Sequence, residues 1–269
     1  RWIPLTDDYQ LDLTELPRLL DGAKLLSITA MSNVLGTINE IRPLADAAHA
    51  AGALVLVDAA QAAPHLPVDV QAWDADFVGV TAHKMLGPSG IGALWARETL
   101  LDAMPPFLGG GEMITDVRLD GFTPNELPWK FEAGTPAITE AVGWGAAVDY
   151  LSTIGMDAVR LHEKQITGYA LKALDDRFER RLRIYGPRDP EVRGGAVSFL
   201  FDRIHAHDIS QVLDEDAVCV RAGHHCAKPL MRLLGVPATT RASFYVYNDE
   251  ADVDVLVDAL AGAEKFFAI

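Results

Sequence analysis

The chain has 269 residues, 49% hydrophobic and 23% charged, with 22 glycines and 15 prolines spread along it, a composition that excludes disorder and fibrous repeats. Its 23 Lys plus Arg against 38 Asp plus Glu leave a formal net charge of -15, which repels phosphate backbones and anionic headgroups, so neither nucleic acid nor membrane is an expected partner. Only two cysteines occur, Cys219 and Cys226, and no charge-free apolar stretch approaches the ~20 residues of a spanning helix, which points to a reduced, cytoplasmic setting. The chain opens at Arg1 with no signal pattern, and the expectation is that upstream residues are trimmed or absent.

In chain order, the first clear unit runs over residues 39–57. Asn39 can cap a helix whose apolar stripe is Ile41, Leu44, Ala45 and Ala48, with Pro43 in its first turn and Gly52 as its stop. Ala53-Leu54-Val55-Leu56-Val57 then predicts a strand buried on both faces of a parallel sheet, ending at Asp58. Phe77-Val78-Gly79-Val80-Thr81 predicts a second strand ending at His83-Lys84. Ile91-Gly92-Ala93-Leu94-Trp95 predicts a third, after the turn Gly87-Pro88-Ser89-Gly90. Three apolar strands around a helix predict an α/β sheet, and ligands of such sheets gather beyond the strands' carboxyl ends, where Asp58 and Lys84 stand.

Residues 105–136 read as a long surface loop rich in glycine and proline. Helices are expected over residues 138–151 and 157–178. They lead into a smaller unit with a strand over 197–201, a helix over 207–213 and a short strand over 217–220. A last helix follows Asn248-Asp249 and carries Val253, Leu256, Val257, Leu260 and Ala263. The expected division is a large cofactor domain over residues 1–152 and a small α+β domain over 153–269.

Three side chains carry the chemical argument. A lysine at a buried strand end, such as Lys84, can form a Schiff base, although a snorkelling lysine is the more frequent case. Asp58, at the end of the neighbouring strand, could face a protonated ring nitrogen, or could cap a helix or meet solvent. Cys226 lies in a His/Gly segment with Arg221, His224, His225 and Lys228 nearby to favour thiolate, whereas Cys219 in Ala217-Val218-Cys219-Val220 reads as an inert core residue. A metal reading of His205, His207, His224, His225 and Cys226 lacks the ligand spacing of a structural zinc site.

The stretches Val57-Asp58-Ala59-Ala60-Gln61, His83-Lys84-Met85-Leu86-Gly87-Pro88, Phe131-Glu132-Ala133-Gly134-Thr135-Pro136 and Arg221-Ala222-Gly223-His224-His225-Cys226-Ala227-Lys228-Pro229-Leu230 resemble the class V aminotransferase fold. More closely, they resemble its SUF-type (group II, SufS-like) cysteine desulfurases, over nearly the whole chain and in the expected order. The resemblance implies a pyridoxal-phosphate-dependent transferase of fold type I, with a mostly parallel central sheet and a smaller α+β C-terminal domain. Lys84 would hold the cofactor and move the substrate Cα proton, Asp58 would pair with the ring nitrogen, and Gln61 would hydrogen-bond the phenolate oxygen. Thr81 and His83, which share a face if the strand continues, would bind the phosphate, and Thr135 would reach the phosphate of the other subunit of a homodimer. Arg241, assisted by Asn33 and Arg221, would take the substrate carboxylate through its planar fork, unless it pairs with a surface acid. Cys226, with His224 beside it, would attack the sulfur of L-cysteine, form a persulfide, release alanine and pass the sulfur to a SufE- or SufU-like acceptor for iron-sulfur cluster assembly.

L-selenocysteine is an alternative substrate. Another class V lyase or aminotransferase activity, or an inactive scaffold, is an alternative role. Chains of the resembled group extend upstream of the residue matching Arg1, where they carry a phosphate-binding turn and a ring-stacking histidine, so the expectation is a chain lacking that part.

Overall fold

A computed structural model describes residues 1–267. The first layer contains α1 (Leu16–Leu20), β1 (Leu25–Thr29), α2 (Ile41–Ala50), β2 (Leu54–Asp58), β3 (Phe77–Thr81) and β4 (Gly92–Ala96). Its sheet has the order β1-β2-β3-β4, with β1, β2 and β3 parallel and β4 antiparallel at the edge. The connection from β1 to β2 passes through α2, as a parallel pair requires. Ile41, Leu44, Ala45 and Ala48 of that helix are buried at the spacing of one helical face and pack with Leu26, Val55, Val57 and Val78.

Two local expectations change, and one strand carries no expectation. Asn39 does not cap α2, which starts at N-cap Glu40 without a side-chain cap. Its Nδ2 donates to Thr29 O at 2.8 Å and its backbone N–H to Ala30 O at 2.9 Å, so Asn39 is pinned to the end of β1. Nor is β2 buried on both faces: Val55 and Val57 are fully buried beneath α2, while Leu54 and Leu56, which alternate to the other face, are only half-buried. Finally, β1 went unpredicted because only Leu26 of its five residues is buried, too little for an apolar run.

After α3 (Glu98–Ala103), the stretch read as loop contains a hairpin, β5 (Ile114–Arg118) and β6 (Gly121–Pro124), paired from Ile114↔Pro124 to Arg118↔Gly121. Its residues are largely exposed, so the strands bury no face and leave no alternation in the sequence. Helix α4 (Ile138–Ile154) then meets α5 (Met156–Phe178) at Gly155, whose φ of +85° breaks the helical path.

The second layer adds β7 (Leu182–Tyr185), β8 (Ala196–Phe201), α6 (Ala206–Glu215), β9 (Arg221–Gly223), α7 (Lys228–Leu233), β10 (Thr239–Ser243) and α8 (Glu250–Phe266). Its antiparallel sheet has the order β7-β8-β10-β9. Ile166, Ala170, Leu174 and Phe178 of α5 share one core with Val197, Phe199, Ile209, Leu213, Leu256 and Leu260. A capping box at Asp249, which accepts from the Ala251 and Asp252 N–H groups, starts α8.

The expected strand over 217–220 is absent. Ala217 leaves α6 at φ +59°, the Val218 N–H returns to Leu213 O, and the chain meets β10 only at Arg221. Cys219, outside the ladder, is exposed rather than a core residue.

Residues 34–38 form the seam between the two layers. Ser198 Oγ donates to Val34 O at 2.6 Å, Gly194 N–H to Gly36 O at 2.9 Å and Ile38 N–H to Val192 O at 3.0 Å. Arg193, fully buried, donates to the carbonyls of Pro187, Tyr185 and Ala196. No helix among the described residues is long and apolar enough to cross a membrane.

Candidate active site

Parallel pairing brings the carboxyl ends of β1, β2 and β3 to one edge of the first sheet, with Thr29 beside Asp58 and Asp58 beside Gly79. Asp58 Oδ1 accepts the Ala60 N–H at 2.9 Å, which fixes the carboxylate at the strand end. Gln61 follows in the same turn, its Nε2 3.3 Å from His65 Nε2. At the end of β3 the chain winds into a short 3₁₀ turn, Ala82–Lys84, closed by the Met85 and Gly87 N–H groups on Ala82 O. Thr81 and His83 therefore do not share a strand face. The turn brings them together instead, with Thr81 Oγ1 and His83 Nδ1 2.9 Å apart.

Lys84, half-buried, ends that turn. Burial holds its ammonium pKa below the ordinary value, the Asp58 carboxylate pulls it back up, Arg241 lowers it again and Cys226 raises it. Four residues far apart in the chain thus share one electrostatic neighbourhood.

The second sheet supplies the opposite wall. Arg241 on β10 lies across from Arg221 on β9, donates from Nε to Ser243 Oγ at 3.1 Å and from Nη1 to Asn33 O at 2.7 Å. Burial lowers its pKa, Arg221 adds to that, and Cys226 opposes it. Asn33 answers with its own side chain: Nδ2 donates to His225 O at 2.7 Å. Cys226 follows in an exposed turn with φ +63°, after His225 at φ +51°, and His224 is exposed beside it.

His225 corrects the picture of an all-cationic surround. Its ring is buried, Nε2 lies 2.9 Å from Thr239 Oγ1 and 3.1 Å from Thr239 O, and burial, reinforced by Arg241, pushes its pKa down to about 4. Its protonated form is thus disfavoured, and the cations in the neighbourhood of Cys226 include Lys84 and Arg241. Thr135 stands apart, exposed in the turn after Gly134, and no contact among the described residues joins it to the Lys84 neighbourhood.

One pair escaped the sequence reading. His65 Nδ1 lies 2.9 Å from Glu163 Oε1 without forming an aligned hydrogen bond. The Gly195 N–H donates to the same carboxylate oxygen at 2.8 Å, and the Tyr245 ring packs edge-on against His65 at 4.7 Å. The signal was present: Glu163 falls on the buried stripe of α5 with Val159, Ile166 and Ala170, a place where an unpaired acid is costly.

The donor set fits pyridoxal phosphate. A half-buried amine with a disfavoured ammonium suits an aldehyde, a carboxylate on the next strand suits a pyridinium N–H, and a hydroxyl with an imidazole at the turn suits a phosphate.

The Aminotransferase class-V family matches residues 1–256. The chain is 52% identical over 268 residues to a probable cysteine desulfurase of Streptomyces coelicolor, covering 99% of this chain and 64% of that protein. It is 49% identical over 269 residues to a cysteine desulfurase of Haloferax volcanii, covering 100% of this chain and 62% of that protein. A solved cysteine desulfurase structure from Thermococcus onnurineus NA1 superposes with a TM-score of 0.94 at 38% identity, over 99% of this chain and 66% of that one. The chain thus spans less than two thirds of the length of each of these relatives.

Proposed function

The chain belongs to the class V aminotransferase family, whose fold is the α/β fold type I of pyridoxal-phosphate-dependent transferases, and from that premise we propose that it is a SUF-type cysteine desulfurase. It takes L-cysteine, releases L-alanine and carries the sulfur as a persulfide on Cys226. The observation that supports this most is the shared neighbourhood of Lys84, Asp58, Arg241 and Cys226, which sets a basic amine, an anion, a carboxylate receptor and an exposed thiol around one space.

Lys84, Asp58, Gln61, Thr81 and His83 hold pyridoxal phosphate, with Thr135 reaching the phosphate of a second copy. When bound, the cofactor supplies an electron sink that weakens the substrate's bonds at Cα and Cβ. Arg241 receives the substrate carboxylate, with Asn33 at its side and Arg221 adding positive charge. Lys84, whose ammonium form burial disfavours, takes the Cα proton as a neutral amine. The Cys226 thiolate forms an S–S bond with the substrate sulfur as the Cβ–S bond breaks. The released pair stays with the carbon skeleton, which gains protons to become alanine. His224 flanks the thiol, and Arg221 stands opposite Arg241 on the neighbouring strand. The exposure of Cys226 suits hand-over to a SufE- or SufU-like acceptor for iron-sulfur cluster assembly in the cytoplasm.

The test combines the visible absorption band of bound pyridoxal phosphate with alanine release from L-cysteine in wild type, Lys84→Ala, Cys226→Ala and Cys219→Ala. The band should vanish only in Lys84→Ala, and release should collapse in Lys84→Ala and Cys226→Ala. A wild-type chain with neither band nor alanine refutes the proposal. Undiminished release from Cys226→Ala with acceptor protein present refutes the persulfide route.

A further inference from the structure

His225 and Cys226 are consecutive residues with a Cβ that both occupy the left-handed region, at φ +51° and +63°. That conformation is disfavoured for each and persists only where the surroundings over-determine it. Two contacts do so. The buried His225 ring lies within hydrogen-bonding distance of Thr239 through Nε2, and the His225 carbonyl accepts Asn33 Nδ2 at 2.7 Å. Within the turn, the Ala227 N–H donates to His224 O at 2.9 Å. The Asn33 backbone carbonyl meanwhile accepts Arg241 Nη1 at 2.7 Å. One asparagine of the first layer therefore touches both the cysteine turn and the arginine of the second sheet.

We infer that Asn33 and His225 are positioning residues that clasp the Cys226 turn in its left-handed form, with Asn33 linking that turn to Arg241. The clasp is read from this chain's own contacts, and only the meaning of the presented thiol rests on the desulfurase reading. A neutral His225 ring acts here as an anchor for the backbone, a role distinct from that of the exposed His224 next to it. Asn33, by the same geometry, spends its amide on the turn as long as no substrate carboxylate competes for it.

The test is amide hydrogen exchange of the purified chain without added substrate, read at Ala227 and referenced to α8. Asn33→Asp keeps the side chain's size but replaces the donor with an acceptor facing a carbonyl. His225→Leu fills the buried space but removes the contact to Thr239. Each should speed exchange at Ala227 about tenfold, the factor that corresponds to ~1.4 kcal/mol, with α8 unchanged. Should His225→Leu fail to fold, the near-isosteric Asn33→Asp still decides. Unchanged exchange at Ala227 in both folded variants overturns the clasp, and leaves the desulfurase reading intact if wild type releases alanine. Faster exchange in a chain whose wild type releases no alanine upholds the clasp and counts against the desulfurase reading.

Discussion

Gly186 packs directly against Leu35 of the seam, and replacing it with alanine should part the two layers. The residue follows β7 at φ +99°. A Cβ there would overlap the Leu35 carbonyl oxygen, lie 2.8 Å from the Leu35 carbonyl carbon and 3.1 Å from Arg193 Nη1. The left-handed backbone costs about 1–2 kcal/mol for a residue with a Cβ. The overlap is with backbone, which cannot swing aside, so relief requires a shift of the seam at about 1–3 kcal/mol. Together these give about 2–5 kcal/mol, or a melting temperature lower by about 5–15 °C. Gly22→Ala is the control: its φ is +66° and nothing lies within 4 Å of the added Cβ, so it carries the backbone cost alone. Thermal melting by circular dichroism should separate the two variants clearly. Because Leu35 is two residues from Asn33, which joins Arg241 to the cysteine turn, Gly186→Ala should also slow alanine release below its melting range. Equal destabilisation by Gly186→Ala and Gly22→Ala refutes the close-approach argument.

The buried His225 ties stability to pH. Its pKa falls from 6.5 to about 4 on folding, so its contribution is present above 6.5 and is lost as pH drops toward 4, because only the unfolded chain gains the proton readily. Between pH 7 and pH 5 this amounts to about 2 kcal/mol, and urea unfolding of His225→Gln at those two values should show a correspondingly smaller loss. An identical pH dependence in wild type and variant refutes this assignment. For Lys84, Asp58→Asn removes the anion that supports the ammonium, so its pKa should fall further, whereas Arg241→Gln removes an opposing cation and should raise it. The pH profile of Lys84 modification by trinitrobenzenesulfonate reads both shifts, and displacement in the same direction contradicts the arrangement.

The elements that read clearly are those whose signal lies within one segment. The stripe Ile41, Leu44, Ala45 and Ala48 lies on one helical face because burial against one neighbour imposes a period of 3.6, and Phe77–Thr81 has the predicted bounds because its apolar residues form one short run. β10 lacked such a signal. Its buried Thr239 and Thr240 are polar, with Thr240 satisfied by Ala206 O and Thr239 within reach of His225. Asn39 could be read as a cap from its position, but the partner that claimed it, Thr29 O, belongs to another strand.

The site divides along the same line. Asp58, Lys84, Arg241 and Cys226 could be picked out in the linear chain because residue type and position at a strand end or glycine-bearing turn suggest their chemistry. Their convergence could not, since it depends on parallel pairing that aligns the ends of β2 and β3 and on a seam that carries β10 over that edge. The same holds for charge: His224 and His225 are identical neighbours in the chain, yet folding leaves one in solvent and buries the other against Thr239, where burial lowers its pKa to about 4. Periodicity and residue chemistry are properties of a segment and survive in the bare sequence. Desolvation and long-range hydrogen bonding belong to pairs of segments, and only the folded chain brings those pairs together.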